Sequence, residues 1–253
     1  MRLKAEEVLD RLINIDKIQT VAGQITFNLG DINIVVKQKD VVGNIMQEWL
    51  EGWFKKNEVD YAVSSNTQMP PDFYLNPDDR TVDLLEVKAF NYEATPGFDI
   101  ADFKAYEREI VVKPFMLHAK YLIFGYKMSP TGVVTINKVW LENVWNICRP
   151  SAKWPLNLQV KKNVVHKIRP GKWFSSAQTQ FSCFNNLEDF LSAVEEVVYK
   201  NIDTHDDAND WRDKMVASYA SLYGKYLDIP RWQRIKSQYV KPKSAKKASK
   251  KRN

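Results

Sequence analysis

The run LLEVKAF at positions 84–90 limits what this chain can fold into more than any other stretch. Side chains alternate faces along a strand, so Leu85, Val87 and Ala89 point one way while Glu86 and Lys88 point the other. One face is made to pack; the other sets a carboxylate beside an ammonium in an otherwise apolar strand. Upstream, Asp72 follows two prolines, Pro70 and Pro71, which demand extended backbone and exclude a helix. Residues 76–80, NPDDR, are strong turn chemistry. The segments 73–75 and 82–88 are therefore expected to pair as a hairpin that brings Asp72 close to Glu86.

Those residue types suit hydrolysis of a phosphodiester. At neutral pH that reaction needs a deprotonated water and something to offset charge growing on the phosphate oxygens. Hard carboxylate oxygens suit Mg2+, which keeps several waters and binds through one or two protein carboxylates. Asp72 and Glu86 are the candidate metal ligands, and Lys88 is the candidate for steadying the attacking water and the scissile phosphate. Asp78, Asp79 and Asp83 compete as ligands. Asp78 and Asp79 sit in the turn, where aspartate is favoured for backbone hydrogen bonds alone, and all three are left out of the set.

The pattern Pro71-Asp72, then thirteen residues, then Glu86-Val87-Lys88 resembles that of the PD-(D/E)XK nuclease superfamily, and the chain as a whole is most similar to type II restriction endonucleases. The resemblance spans mainly residues 42–126. It implies an α/β, restriction-endonuclease-like core: a central mixed β-sheet flanked by helices, here with an extra β-hairpin and C-terminal helices. It implies Mg2+-dependent cleavage of double-stranded DNA at a specific palindromic sequence. A two-fold symmetric target suits a homodimer with one active site per strand, and a cognate DNA methyltransferase would protect the host. In such enzymes a helix before the motif strands often adds a glutamate near the metal, which makes Glu48 a further candidate. Two alternatives stay open: another nuclease on the same core, such as a junction resolvase or repair nuclease, and a DNA-binding protein without catalysis.

Length and composition fit one elaborated domain over residues 1–240, since 253 residues with 44% hydrophobic content can bury a sizeable core. No apolar stretch is long enough to span a bilayer and the first residues are not a signal peptide, so a soluble protein of a prokaryotic cytoplasm is expected. Cys148 and Cys183 lack metal-binding or redox spacing and are expected to be reduced core residues. The scattered histidines suggest neither a zinc site nor a catalytic triad. The net charge of +6 is unevenly placed: residues 241–253 hold seven of the 37 basic residues and no acidic one, leaving 30 against 31 for the body. That tail reads as a disordered basic arm, either holding DNA without sequence preference or only aiding solubility.

In chain order, apolar spacing predicts a helix over 4–15, a hairpin of 24–28 with 32–36 around Gly30, and a helix over 42–56 with a stripe of Ile45, Met46, Trp49, Leu50, Trp53 and Phe54. A short strand at 61–63, a helix over 100–111 and a buried strand at 121–126 follow. Residues 133–147 are β-rich, turning helical near 141–145. Helices are expected from 187, capped by Asn186, and over 206–226. Residues 150–185 interleave basic and aromatic side chains and are the expected DNA-recognition elements, with Lys161, Lys162, Lys167, Arg169, Lys172, Gln178 and Gln180 as candidate contacts. An exposed strand with snorkelling lysines would look the same.

Overall fold

A computed structural model of the chain describes residues 1–65, 69–173 and 180–242. The chain opens with α1 (Ala5–Asp10), whose last turns widen into a π-helical segment, Arg11–Ile15, within the expected helix. After β1 (Ala22–Gln24), β2 (Thr26–Leu29) and β3 (Ile32–Val35) form the expected hairpin, with Gly30 at φ 56° in its turn. Then come α2 (Val41–Lys56), β4 (Ala62–Val63), β5 (Phe73–Tyr74), β6 (Leu84–Asn91), β7 (Ala101–Asp102), α3 (Phe103–Val112), β8 (Lys120–Met128) and β9 (Val133–Asn143). The rest is α4 (Val144–Ile147), β10 (Leu158–Lys161), β11 (Val164–Ile168), α5 (Leu187–Lys200), α6 (Trp211–Tyr223) and α7 (Trp232–Ile235).

The central sheet has six strands in the order β1-β9-β8-β6-β5-β4. It is mixed: β6 and β8 run parallel, from Leu85↔Lys120 to Asn91↔Tyr126, while the other neighbours are antiparallel. A parallel pair needs a crossover, and α3 lies in the connection between the two. Helices cover both faces. Leu85, Val87, Leu122 and Phe124 pack with the buried stripe of α2 and with α1. Leu84, Phe90, Tyr121 and Ile123 pack on the opposite side with α3, α5 and α6. The alternation read from LLEVKAF is thus the division between two cores.

Several boundaries differ from expectation, each for a local reason. Strand β6 begins at Leu84 rather than 82, because Asp83 takes a left-handed φ of 51°, which a short polar side chain tolerates. Strand β9 runs on through Asn143 instead of turning helical at 141, since pairing with β8 continues to Lys120↔Asn143. Ala101 and Asp102, expected inside a helix, pair with Ile168 and Lys167 of β11, and the Asp102 carboxylate caps α3 by accepting the Ala105 N–H at 3.1 Å. The helix expected over 206–226 starts as a 3-10 turn at His205–Asn209 and ends at Gly224, whose φ of 64° closes it. Helix α5 follows its reading, with Asn186 Oδ1 accepting the Asp189 N–H at 2.7 Å. Both cysteines are free thiols, Cys148 buried and Cys183 half-buried. Among the described residues no helix is long and apolar enough to cross a membrane.

Candidate active site

Asp72 reaches β6 through the short strand that follows it. Phe73 pairs with Leu85 and Tyr74 with Leu84, so the antiparallel register sets Asp72 opposite the β6 carboxylate. Its Oδ2 accepts the Val87 N–H at 2.8 Å, which pins the side chain between Glu86 and Lys88. The Pro70–Pro71 peptide just before it is cis.

Glu86 is 3% exposed, and its neighbour across the parallel pair is the buried Tyr121. Its Oε1 is 2.6 Å from the Lys88 Nζ, while its Oε2 is buried with no hydrogen-bond partner among the described residues. Burial drives the Glu86 carboxyl up to about 7, against the opposing pull of Lys88, and the nearby Asp72 adds to the rise. Asp72 is also raised, by burial, though the Val87 N–H and Lys88 both hold it back. Burial pulls the Lys88 ammonium down, but the carboxylates of Glu86, Asp72 and Asp99 outweigh it and the group ends above its ordinary value. Beside these carboxylates Lys88 is a charged ammonium at neutral pH.

The cluster opens on a cleft of about 280 Å³ lined by Glu86, Lys88, Asp99, Asp102 and Lys167. A buried acid whose second oxygen is unpaired, beside another acid, is a donor set for a hard cation. No set of three or more His, Cys, Asp or Glu side chains converges as a metal site among the described residues. A pair of carboxylates fits an ion that keeps most of its own waters, such as Mg2+.

Glu48 is not brought into this cluster, and that expectation is corrected. It is exposed on α2, whose buried residues Val42, Met46, Leu50, Trp53 and Phe54 pack with Leu85 and Val87, on the far side of the sheet from Glu86 and Lys88. The basic candidates scatter. Lys167 lines the cleft, 3.5 Å from Asp102, because β11 pairs with β7. Arg169 donates to the Gly97 carbonyl at 2.7 Å and lies 3.0 Å from Asp99. Lys172 is paired with Glu142. Lys161 and Lys162 are exposed at the β10–β11 turn, where Lys162 and Asn163 take left-handed φ values of 49° and 66°. Gln180 is exposed, with its carbonyl accepting the Lys241 N–H at 2.8 Å. Gln178 and most of the tail, 243–253, lie outside the described residues. The sequence reading missed the cleft wall of Asp99 and Asp102; they lay in what read as loop and helix, and no periodicity pointed to them.

A family model described as NgoBV restriction endonuclease matches residues 2–239. This chain belongs to the NgoBV restriction endonuclease family. It is 54% identical over 241 residues to the type II restriction enzyme NlaIV of Neisseria lactamica, an alignment covering 95% of this chain and 99% of that protein. It is 52% identical over 162 residues to the type II restriction enzyme NgoBV of Neisseria gonorrhoeae, covering 64% of this chain and 92% of the relative. The solved structure of NlaIV restriction endonuclease superimposes with a TM-score of 0.91, over 96% of this chain and 98% of that one. The α/β fold, a mixed sheet flanked by helices, is that of a restriction endonuclease.

Proposed function

We propose that this protein, a site-specific deoxyribonuclease of the NgoBV family, cleaves both strands of a palindromic double-stranded DNA sequence in a Mg2+-dependent reaction of the PD-(D/E)XK kind. The observation that carries this reading is the clustering of Asp72, Glu86 and Lys88, with Glu86 and Lys88 opening on one cleft and Asp72 held beside them by the Val87 N–H. Asp72 and the unpaired Oε2 of Glu86 would hold Mg2+, whose chemistry there is to lower the pKa of water and to offset charge on the phosphate. Lys88 keeps its proton and presents positive charge to the attacking water and the scissile phosphate. The Val87 N–H fixes Asp72 in place, so little reorganisation is left for the moment of reaction.

Lys167 at the cleft wall and the exposed Lys161 and Lys162 would meet phosphates, which position a duplex without reading it. Lys167, Arg169 and Lys172 already have carboxylate partners, Asp102, Asp99 and Glu142, and would contact DNA only by exchanging them. A palindromic target calls for two copies related by a two-fold axis, with one site per strand. A cognate methyltransferase and a cytoplasmic setting follow from the restriction role. The test is incubation with unmethylated phage DNA, with and without Mg2+, beside Lys88→Ala. Discrete bands that need both metal and Lys88 support the proposal; a smear or metal-independent cutting contradicts it.

A further inference from the structure

Past Glu86 and Lys88 the same face of the central sheet turns aromatic. Residues paired across neighbouring strands share a face, and two such rows follow one another here. Lys88, Ile123 and Trp140 form the first, across β6, β8 and β9; Phe90, Gly125 and Lys138 form the next. Gly125 is the gap that rings fill. A Cβ there would lie 2.9 Å from both Trp140 Cζ3 and Tyr92 Cδ2, closer than real side chains come. The Tyr92 N–H donates to the Tyr126 carbonyl at 2.8 Å, which carries the pairing one residue past β6 and sets the tyrosine beside the gap.

The rings meet as near-parallel plates. Phe90 and Trp140 are 19° from parallel with centroids 5.6 Å apart, and Tyr92 and Trp140 are 28° from parallel at 6.2 Å. Phe90 is the buried member, whereas Trp140 is half-buried and Tyr92 is 43% exposed. Ammonium groups flank these plates. Lys138 Nζ lies 5.7 Å from the Trp140 ring centroid, and Lys127 Nζ lies 6.0 Å from that of Tyr92. Lys127 is paired with Glu93 at 3.0 Å; Lys138 is exposed and has no carboxylate partner among the described residues.

Flat rings flanked by lysine suit an unpaired base, since every base has a face to stack and a phosphate to answer the ammonium. We propose that Tyr92 and Trp140 form a stacking platform for an unpaired nucleobase of DNA, with Lys138 on the adjoining phosphate. The lysines disfavour a cationic occupant, and near-parallel rings select a planar one over an aliphatic chain. Two strand spacings put the Trp140 Cα roughly 10 Å from that of Lys88, a span of about three base pairs at the 3.4 Å rise of one strand. A base stacked here therefore lies within a few nucleotides of any phosphate held at Lys88. Stacking offsets the cost of taking a base out of a duplex, and that cost differs between sequences. The platform thus favours targets that open readily beside the cut. That the strand is the one being cut rests on the proposed function; the platform itself does not.

The test uses the full-length chain in EDTA and reads fluorescence anisotropy of two labelled single strands, oligo(dT) and an abasic strand of the same length and charge. Surface lysines and the basic tail meet both strands alike, so the difference between them reads stacking. The wild type is expected to bind oligo(dT) about tenfold or more tightly than the abasic strand. Tyr92→Ala and Trp140→Leu should each cut that preference by about fivefold or more and leave the abasic affinity in place, with far-UV circular dichroism as a check on folding. Tyr92 is exposed, so its variant keeps the test open if Trp140→Leu does not fold. Lys138→Ala should weaken both strands alike and lower the slope of log affinity against log salt by about 0.7; an unchanged slope overturns the phosphate contact. Equal affinity of the wild type for the two strands, or a preference that survives Tyr92→Ala, overturns the platform and leaves the lysines as cover for the rings. A protein that shows the preference but cuts no duplex keeps the platform and overturns the nuclease reading instead.

Discussion

Glu86 on β6 and Glu107 on α3 are both buried carboxyls raised chiefly by burial, to about 7 and about 8 respectively. By burial and titration alone they are equivalent candidates. Their surroundings separate them. Glu107 is fully enclosed, with Arg108 Nε 3.3 Å from its Oε1, and its backbone carbonyl accepts the Trp211 indole N–H at 3.0 Å. Each has a second acid and a cation nearby, Asp207 and Arg108 for Glu107 and Asp72 and Lys88 for Glu86, but of the two only Glu86 has a cleft in front. A perturbed acid becomes a site when a partner of matched chemistry and a path for substrate come with it. Without them it is a stability liability at high pH.

The largest effect expected from this contrast is on cleavage. Lys88→Ala and Glu86→Gln should each lower the Mg2+-supported cleavage rate by about 10²–10³-fold or more, with DNA binding retained. Glu107→Gln should cut within about twofold of wild type, as read by plasmid linearisation, since it removes no group that faces the cleft.

A pH titration sharpens the comparison. A cation bound through Glu86 must displace its proton below about 7, so the Mg2+ concentration for half-maximal cleavage should rise about tenfold per unit as pH falls from 7, and level off above it. Glu107→Gln should leave that profile in place.

Stability should respond in the opposite pattern. Between the ordinary carboxyl value and about 8 the folded state holds a proton on Glu107 that the unfolded chain has released, so stability falls as pH rises through this window. Glu107→Gln should therefore gain on wild type as pH goes from 5 to 8.5, by on the order of 1–2 kcal/mol, read as a growing difference in Tm. Glu48→Gln is the smallest change expected, within about 0.5 kcal/mol in stability and without effect on rate, because the side chain is exposed on the far side of the sheet.

Local periodicity made part of this legible. The period of two in residues 84–90 and the turn at 76–80 were enough to pair β5 with β6 and so to place Asp72 by Glu86, because a hairpin's partners lie close in sequence. The stripe of α2 was equally clear. A stripe tells which side of a helix is buried, however, and not which face of the sheet receives it, which is why Glu48 was set beside the motif and lies across the sheet from it. The cleft wall was hidden for a related reason. Asp102 and Lys167 meet only because β7, two residues long, pairs with a strand more than sixty positions away. Asp83 and the length of β9 were decided by a left-handed φ and by continued pairing with β8, neither of which composition signals.

The most direct measurement of the central claim sets three glutamates side by side: Glu86→Gln, Glu107→Gln and Glu48→Gln, each assayed for DNA cleavage across a Mg2+ series at pH 8. Glu86→Gln alone is expected to lose activity at every Mg2+ concentration while the other two follow the wild-type curve. Wild-type cleavage by Glu86→Gln, or an equal loss in Glu48→Gln or Glu107→Gln, would contradict it.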